Sequence, residues 1–468
     1  MSETIAAIST AYGEGGIGIV RISGDRAKEI LGNLFCAPGQ TSLQEESSSA
    51  FEDRKIKYGY IVEPSSNEKI DEVLALFMEA PRTYTMEDVV EIYCHGSIVS
   101  IRKILSAALA CGATLAQPGE FTKRAFLNGR IDLAQADAVI DLIQAKTDKG
   151  YSSAFKQLEG SLSSRVNELR EELVDALAEV VVNLDYPDED EDFTDDFSAN
   201  SEIARRLEIV LTGLDTLIDS AQTGRMIREG INVVITGKPN VGKSSVLNAL
   251  LREARAIVSD VPGTTRDKIE EFLSVRGIPL KLTDTAGIRD SSNAIETMGI
   301  EMSKEAIRMA DLVALILEAS EPLSEEDRAI AKTLRGKKVL ILLNKSDLPK
   351  KINDHEVKEI LPEAAIIEIS ALTGEGIEDI EEHIERAVYR GNVSQGDSLL
   401  VTNVRHKNLL IKAREETQKA IDMLRNGEAL DFVEVDVRAA FDFLGEITGQ
   451  TLTDDIMDRV FSRFCVGK

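Results

Sequence analysis

An eight-residue stretch, Gly237-Lys-Pro-Asn-Val-Gly-Lys-Ser244, carries residue types that bind phosphate. It follows the apolar run Ile231–Thr236 and precedes a helix-forming stretch at 245–251. In this context the glycines let successive backbone N–H groups point at a β-phosphate, and the helix N-terminus adds its dipole. Lys243 is expected to reach the β- and γ-phosphates, and the Ser244 hydroxyl to ligate Mg²⁺. The predicted nucleoside triphosphate contacts in this loop are Asn240, Val241, Gly242, Lys243, Ser244 and Ser245.

A second motif, Asn344-Lys-Ser-Asp347, selects the base and ends the apolar run 339–343. The Asp347 carboxylate can accept hydrogen bonds from N1–H and the 2-amino group of guanine as a charge-assisted pair. Adenine has no donor at those positions and would leave the charge unpaired. The stem of Lys345 is expected to cover the purine face, and Asn344 to tie this loop to the phosphate loop. The nucleotide is therefore predicted to be GTP.

Further segments complete the predicted nucleotide site. In Asp284-Thr-Ala-Gly287, Asp284 is expected to hold Mg²⁺ through water and the Gly287 N–H to sense the γ-phosphate, with Thr285 and Ala286 beside them. Thr265, in Gly263-Thr-Thr-Arg-Asp267, is the expected second Mg²⁺ ligand. Ser370 and Ala371 follow another apolar run, where a guanine-contacting loop belongs. Together these residues predict a Ras-like GTPase domain.

The residue that follows this Asp-Thr-Ala-Gly motif is Ile288, whereas Ras-type proteins carry a water-positioning glutamine there. An apolar side chain cannot orient the attacking water, so hydrolysis must recruit another group. Asn240 offers an amide oxygen for a monovalent cation, which would neutralise charge that develops on the phosphates. Alternatively, Asn240 is a loop asparagine that tolerates a left-handed backbone. Residue chemistry alone leaves both interpretations open.

Size and charge limit the remaining functions. A chain of 468 residues predicts about three domains. The formal net charge of −27 repels polyanions at long range, so nucleic-acid binding needs a local basic patch or a partner. The four cysteines show no C-x-x-C pairing, and neither a secretion segment nor a membrane-spanning run is recognisable. We therefore expect a cytoplasmic protein with reduced thiols.

The predicted fold class is multidomain α/β plus α. Residues 1–120 predict an α+β domain, with strands in 4–10, 17–23, 73–78 and 89–93 and a helix at 98–110. Residues 121–224 and 391–468 predict two parts of a helical domain, into which a Ras-like GTPase domain at 225–390 is inserted. The clearest helical seam is Leu162, Val166, Leu169, Leu173, Leu177, Val180 and Leu184.

Two further segments match ligand-binding patterns, but we predict that neither of them binds a ligand. Gly13-Glu-Gly-Gly-Ile-Gly18 matches a dinucleotide-binding pattern but is followed by strand-like residues, so it is predicted to be a turn between strands. The acidic run Asp188-Glu-Asp-Glu-Asp192 is interpreted as a solvated linker in preference to a cation site.

The chain resembles the MnmE (TrmE) family of tRNA-modification GTPases. The resemblance rests on the phosphate loop, on Gly-Thr-Thr-Arg-Asp, on Asp-Thr-Ala-Gly-Ile-Arg and on the C-terminal Phe464-Cys-Val-Gly-Lys468. Outside the GTPase domain it includes Gly18-Ile-Val-Arg-Ile-Ser-Gly24 and Gln117-Pro-Gly-Glu-Phe-Thr122. It covers essentially the whole chain in the family's domain order.

The resemblance implies a homodimer whose N-terminal domain binds folate and dimerises. It further implies a heterotetramer with the flavoprotein MnmG, with tRNA held mainly through that partner. The pair would add an aminomethyl or carboxymethylaminomethyl group to carbon 5 of the wobble uridine. The one-carbon source would be 5,10-methylenetetrahydrofolate, with 5-formyltetrahydrofolate as an analogue. The alternative function is a regulatory GTPase switch in ribosome or RNA assembly.

Site residues also follow from the resemblance. The implied potassium ligands are Asn240, Ser259, Val261 and Thr264. Glu296 is the implied catalytic glutamate of hydrolysis. Cys465 is a candidate redox or covalent participant, with a buried structural thiol as the alternative. The implied folate contacts are Arg21, Glu91, Arg130 and Lys468.

Overall fold

A computed structural model describes residues 3–11, 13–39, 51–185, 196–253, 255–257, 272–284, 305–389, 399–451 and 454–467. The chain divides into two compact units. The first is built from Met1–Ile140, Gln157–Glu171 and Phe441–Lys468, and the second from Asp141–Lys156 and Glu172–Ala440. The acidic run 188–192 lies outside the described residues.

The first unit contains a seven-stranded sheet in the order β3-β4-β5-β6-β2-β1-β7, antiparallel except for the pair β1–β7. The strands are β1 Ile5–Ile8, β2 Gly15–Ser23, β3 Phe35–Cys36, β4 Ile56–Val62, β5 Lys69–Met78, β6 Val89–Gly96 and β7 Thr114–Leu115. Along β2 and β6, buried Val20, Ile22 and Ile92 alternate with partly exposed Arg21 and Glu91. The strand register sets Arg21 opposite Glu91 on the face away from the core.

The first two helices of this unit cover the other face of the sheet. The helices of the N-terminal part are α1 Ala27–Gly32, α2 Ile98–Ala110, α3 Glu120–Leu127 and α4 Leu133–Gln144. Helix α2 buries Ile101, Ile104, Ala107 and Ala108, which share one helical face and join the sheet's core. The predicted bounds of this helix are confirmed.

Strand β2 begins two residues earlier than the sequence indicated. The predicted turn at 13–18 is therefore wrong from Gly15 onward, because Gly15 pairs with Gly96. A Cβ at Gly96 would collide with the Gly15 carbonyl oxygen, so glycine permits this close strand approach. No helix begins here among the described residues, and the geometry is not that of a dinucleotide site.

The second unit contains a sheet in the order β14-β13-β12-β8-β11-β10-β9. Its parallel strands are β8 Ile231–Thr236, β11 Ile278–Asp284, β12 Leu312–Glu318, β13 Val339–Asn344 and β14 Ala365–Glu368, and β9 Arg255–Ile257 and β10 Phe272–Val275 are antiparallel. The strands β12 and β13 are almost continuously apolar because both faces are buried. The helices that pack against this sheet are α8 Lys243–Glu253, α9 Glu325–Thr333, α10 Asp354–Ile360 and α11 Ile377–Tyr389.

The remaining helices are α5 Asp148–Leu158, α6 Ser161–Asp185, α7 Asp196–Glu229, α12 Val404–Asn426, α13 Leu430–Thr448 and α14 Asp454–Phe461. The predicted seam of α6 is confirmed: Leu162, Val166, Leu169, Leu173 and Val180 are buried, and Leu177 and Leu184 are half-buried. Helix α7 spans 34 residues and leads directly into β8. Among the helices that the structure describes, none combines the length and the apolar character that a bilayer crossing needs.

Candidate functional site

The phosphate loop lies between the end of β8 and the start of α8. Gly242 has φ +94°, and a Cβ there would collide with the Asn344 amide, so glycine is required. The Lys243 ammonium donates hydrogen bonds to the carbonyls of Gly237 (3.0 Å) and Lys238 (2.8 Å). The positive charge therefore lies inside the loop, beside the N-terminus of an 11-residue helix. This arrangement suits a bound phosphate.

Asn344 joins three loops of the site. Its side-chain N–H donates to the Val241 carbonyl at 2.8 Å, and its amide oxygen accepts from the Ala371 N–H at 3.1 Å. The residue is only 2% exposed, so neither group has water as a substitute partner. The expected tie between this motif and the phosphate loop is confirmed.

Asp347 lies where the loop after β13 meets the loop after β14. Its Oδ1 accepts a 2.6 Å hydrogen bond from the hydroxyl of Ser370. Ser370 is buried, and its own N–H donates to the Glu375 carbonyl, so the hydroxyl is held in place. Asp347 itself is exposed. A positioned, solvent-facing carboxylate can accept the two adjacent donors of guanine.

Lys345 is held by a partner that sequence reasoning did not identify. Its ammonium donates to Oε2 of Glu318 at 2.6 Å, and Ser320 donates to Oε1. Burial opposes ionisation of Glu318, but these hydrogen bonds and the nearby lysine charges hold its pKa below the usual value. Its position in the sequence could have indicated this role. Glu318 ends β12 opposite Asn344, at the carboxyl edge where parallel strands present side chains to a ligand.

The structure describes only part of the predicted metal and hydrolysis site. Asp284 ends β11 with its backbone opposite Ile235 of β8, which places it at the edge that carries the phosphate loop. Asn240 is exposed, with φ +66°. This backbone agrees with Asn240 as a loop asparagine in the left-handed conformation. The exposed side chain of Asn240 is also compatible with an amide oxygen that binds a monovalent cation. The predicted residues outside the described ranges are Ser259, Val261, Thr264, Thr265, Thr285, Ala286, Gly287, Ile288 and Glu296.

A second cluster lies on the face of the first unit's sheet that points away from α2. Arg21 donates to Oε1 of Glu91 through Nε (3.0 Å) and Nη2 (2.8 Å), and Tyr93 donates to Oε2 at 2.6 Å. Burial and the hydrogen bond to Glu91 raise the pKa of Tyr93 to about 12. The predicted folate residues Arg21 and Glu91 are thus in direct contact.

Tyr84 links this pair to a third predicted folate residue. The guanidinium carbons of Arg21 and Arg130 lie 5.6 and 4.7 Å from the Tyr84 ring centroid. Arg130 also donates to the Tyr84 carbonyl at 3.2 Å, and the Tyr84 hydroxyl lies 2.9 Å from that of Thr122. Sequence reasoning missed Tyr84 because it lies in a loop without periodic pattern. The stacked cations fix an aromatic surface beside a charged pair.

The C-terminal segment packs against the same unit. The Cys465 carbonyl accepts a hydrogen bond from the Gly119 N–H at 3.3 Å. Gly119 is two residues before Phe121, and the Arg21 guanidinium lies over the Phe121 ring. The Gly467 carbonyl accepts from the Ser9 hydroxyl at 3.0 Å. Cys465 is exposed, so the alternative of a buried structural thiol is wrong. Lys468 lies outside the described residues.

Comparison with known proteins gives a consistent result over the whole chain. The family described as the MnmE helical domain matches residues 133–465, and the family described as the GTP-binding protein TrmE N-terminus matches residues 4–130. Relatives named tRNA modification GTPase MnmE are similar over the full length of both chains: 49% identity in Alkaliphilus oremlandii, 50% in Alkaliphilus metalliredigens and 48% in Clostridioides difficile.

Solved structures give a weaker likeness. The G domain of the FeoB iron transporter from T. maritima is 28% identical and covers 34% of this chain and 98% of its own, with a TM-score of 0.26. A TM-score this low carries no argument about the fold.

Proposed function

Since this chain belongs to the MnmE family of tRNA modification GTPases, we propose that it hydrolyses GTP to drive the modification of the tRNA wobble uridine. The observation that carries the nucleotide choice is the carboxylate of Asp347, oriented by Ser370 and tied to the phosphate loop through Asn344. This arrangement pairs with both donors of guanine and leaves adenine without a partner.

We assign the uridine modification to the group of Arg21, Glu91, Tyr84 and Arg130, which we call the folate cluster. We propose that Arg21, Glu91, Arg130 and Lys468 bind the folate that supplies the one-carbon unit, and that MnmG joins the chain to complete the reaction. The described part of this cluster fits such a ligand, because a half-buried guanidinium–carboxylate pair offers donors and an acceptor to a pterin-like ring. Cys465, exposed at the same unit, is the proposed redox or covalent participant.

Hydrolysis is proposed to depend on cations held by this chain. Ser244 and Thr265 would hold Mg²⁺ with Asp284 beyond a water, and Asn240, Ser259, Val261 and Thr264 would hold potassium. Bound there, the cations supply positive charge at the phosphates. Glu296 is the proposed residue that orients the attacking water, since Ile288 cannot.

Two substitutions separate the interpretations of Asn240. Asn240→Gly keeps the tolerance of φ +66° but removes the amide oxygen, whereas Asn240→Ala removes both. We expect GTP turnover in wild type to be stimulated by potassium relative to sodium, and both variants to lose this stimulation. Turnover of Asn240→Gly that stays potassium-stimulated would show that the asparagine serves only the backbone.

Folate binding distinguishes a modification enzyme from a regulatory switch. Calorimetry with 5-formyltetrahydrofolate is expected to show binding by wild type and loss of binding by Arg21→Ala. Arg102→Ala is the control, since Arg102 is exposed on α2. If wild type does not bind folate and Arg21→Ala cells keep the wobble-uridine modification, the modification function is refuted. The regulatory GTPase switch would then be the remaining function.

The acidic chain is expected to bind tRNA weakly by itself, because its net charge of −27 repels a polyanion. We propose that it acts as a homodimer and that MnmG provides most of the tRNA affinity. A tRNA titration of the chain with and without MnmG tests this division. Equal affinity in both titrations would contradict it.

A further inference from the structure

A cavity of about 580 Å³ opens beside the folate cluster in the first unit. Its lining residues include Met78, Pro81, Met86 and the aromatic Tyr84 together with two arginines, Arg82 and Arg130. The volume lies in the range of small-molecule sites. Tyr84 and Arg130 belong both to this cavity and to the cluster around Arg21. The cavity is therefore a continuation of the proposed folate site.

The charge of this cavity departs from that of the chain. In a protein with a net charge of −27, two arginines line this one cavity. Within the described ranges, neither Arg82 nor Arg130 forms an ion pair with a carboxylate. By contrast, Arg124 in the same unit is half-buried and forms ion pairs with both Glu87 and Glu120.

The neighbouring acid Asp53 interacts with the charge of Arg82 but forms its ion pair with Arg54. Asp53 accepts hydrogen bonds from the Arg54 side chain and from the Glu79 N–H. The two guanidiniums thus offer a forked donor geometry that matches carboxylates.

We propose that this cavity holds the aminobenzoyl-glutamate end of the folate and that Arg82 binds added γ-linked glutamates, so that the chain prefers folate polyglutamates. This inference rests on the proposed folate function. The methionines and Tyr84 form an adaptable apolar surface for the aminobenzoyl ring. Arg130 faces the carboxylates of the first glutamate, and Arg82 the carboxylates that each further glutamate adds. A local cationic pair offsets the long-range repulsion of a polyanionic ligand by the chain.

Calorimetry with the full chain tests this assignment. The probes are 5-formyltetrahydrofolate carrying one glutamate and the same folate carrying three γ-linked glutamates. We expect wild type to bind the triglutamate roughly fivefold more tightly, as for partly exposed Arg–carboxylate pairs. This preference is expected to shrink as ionic strength rises.

Arg82→Gln isolates the residue. Since Arg82 is exposed, the variant is expected to fold, to bind the monoglutamate within about twofold of wild type and to lose the triglutamate preference. The matched control Arg102→Gln makes the same charge change on an exposed position of α2 and is expected to keep the preference.

Equal affinity of wild type for the two folates would overturn the inference while leaving the folate function intact. An Arg82→Gln variant that keeps the triglutamate preference, or that loses only tRNA affinity, would also overturn it. If wild type binds neither folate, the proposed function fails first, and the inference with it.

Discussion

The hydroxyl of Ser370 lies 2.6 Å from Oδ1 of Asp347 and donates a hydrogen bond to it, joining the loops that follow β14 and β13. The carboxylate that we propose to read the base is thus oriented without a nucleotide, because its partner is buried and itself hydrogen-bonded. Pre-orientation lowers the entropy cost of binding and sharpens the choice of base.

Asp347→Asn tests the reading of the base. An amide lacks the charge and one acceptor, so it cannot pair with both guanine donors. We expect GTP affinity to fall about 100-fold, which corresponds to about 3 kcal/mol for a charged hydrogen-bonded pair. Xanthosine triphosphate, which carries an oxygen in place of the 2-amino group, is expected to bind the variant more tightly than it binds wild type. Titration with both fluorescently labelled nucleotides measures this switch, and unchanged GTP affinity would refute the assignment of Asp347.

Asn344→Ala tests the tie between the loops. The change removes two hydrogen bonds from a site that is 2% exposed and leaves the Val241 carbonyl and the Ala371 N–H without their partner. Each unsatisfied group costs about 1–3 kcal/mol. We expect faster hydrogen exchange in peptides that cover residues 238–242 and 370–372, measured by mass spectrometry.

Asn353→Ala provides the comparison for this variant. Asn353 caps α10 by accepting from the His355 N–H at 3.0 Å, so its loss is expected to affect that helix alone, at a cost of about 1 kcal/mol. If both variants left hydrogen exchange in the phosphate loop unchanged, the hydrogen bonds of Asn344 would not stabilise that loop.

His95 is expected to titrate above the usual histidine range. Its ring nitrogen lies 2.7 Å from Oδ1 of Asp71, whose hydrogen bond and charge raise the pKa of the exposed imidazole. Because the folded pKa exceeds the unfolded one, the stabilisation is complete below the unfolded pKa of about 6.5 and is lost as pH rises through the folded pKa. Burial lowers the pKa of His383, with a smaller effect of Arg386, so the two histidines should titrate on opposite sides of that value.

Proton NMR of the chain, which has four histidines, resolves these titrations. Asp71→Asn removes the carboxylate charge and should bring the pKa of His95 down toward its ordinary value while leaving His383 unchanged. A His95 titration that does not respond to this substitution would contradict the pairing.

The sequence predicted those features that local patterns encode. The helix at 98–110, the seam of α6 and the apolar strands β12 and β13 follow from periodicity and burial, and the structure confirms them. Asn344 was assigned its partner correctly because its motif occurs at a fixed place on a strand end. In each case the signal lies within a few neighbouring residues.

Contacts between distant segments could not be predicted in the same way. Glu318 contacts Lys345 only because β12 and β13 are parallel neighbours. Tyr84 contacts Arg21 and Arg130, which are 63 and 46 residues away in sequence. Gly15 was assigned to a turn because strand-like residues begin only at Ile17, yet pairing with the distant Gly96 extends the strand back to Gly15. The exposed thiol of Cys465 likewise depends on packing that no local pattern reveals.

Nucleoside mass spectrometry of tRNA shows whether GTP binding by this chain drives wobble-uridine modification. Cells that lack the gene are complemented with wild type, Asp347→Asn or Arg102→Gln, and the digested tRNA is compared. We predict that the aminomethyl or carboxymethylaminomethyl substituent at carbon 5 of the wobble uridine is absent without the gene, restored by wild type and Arg102→Gln, and not restored by Asp347→Asn. Unaltered modified uridine in cells that lack the gene would contradict the account.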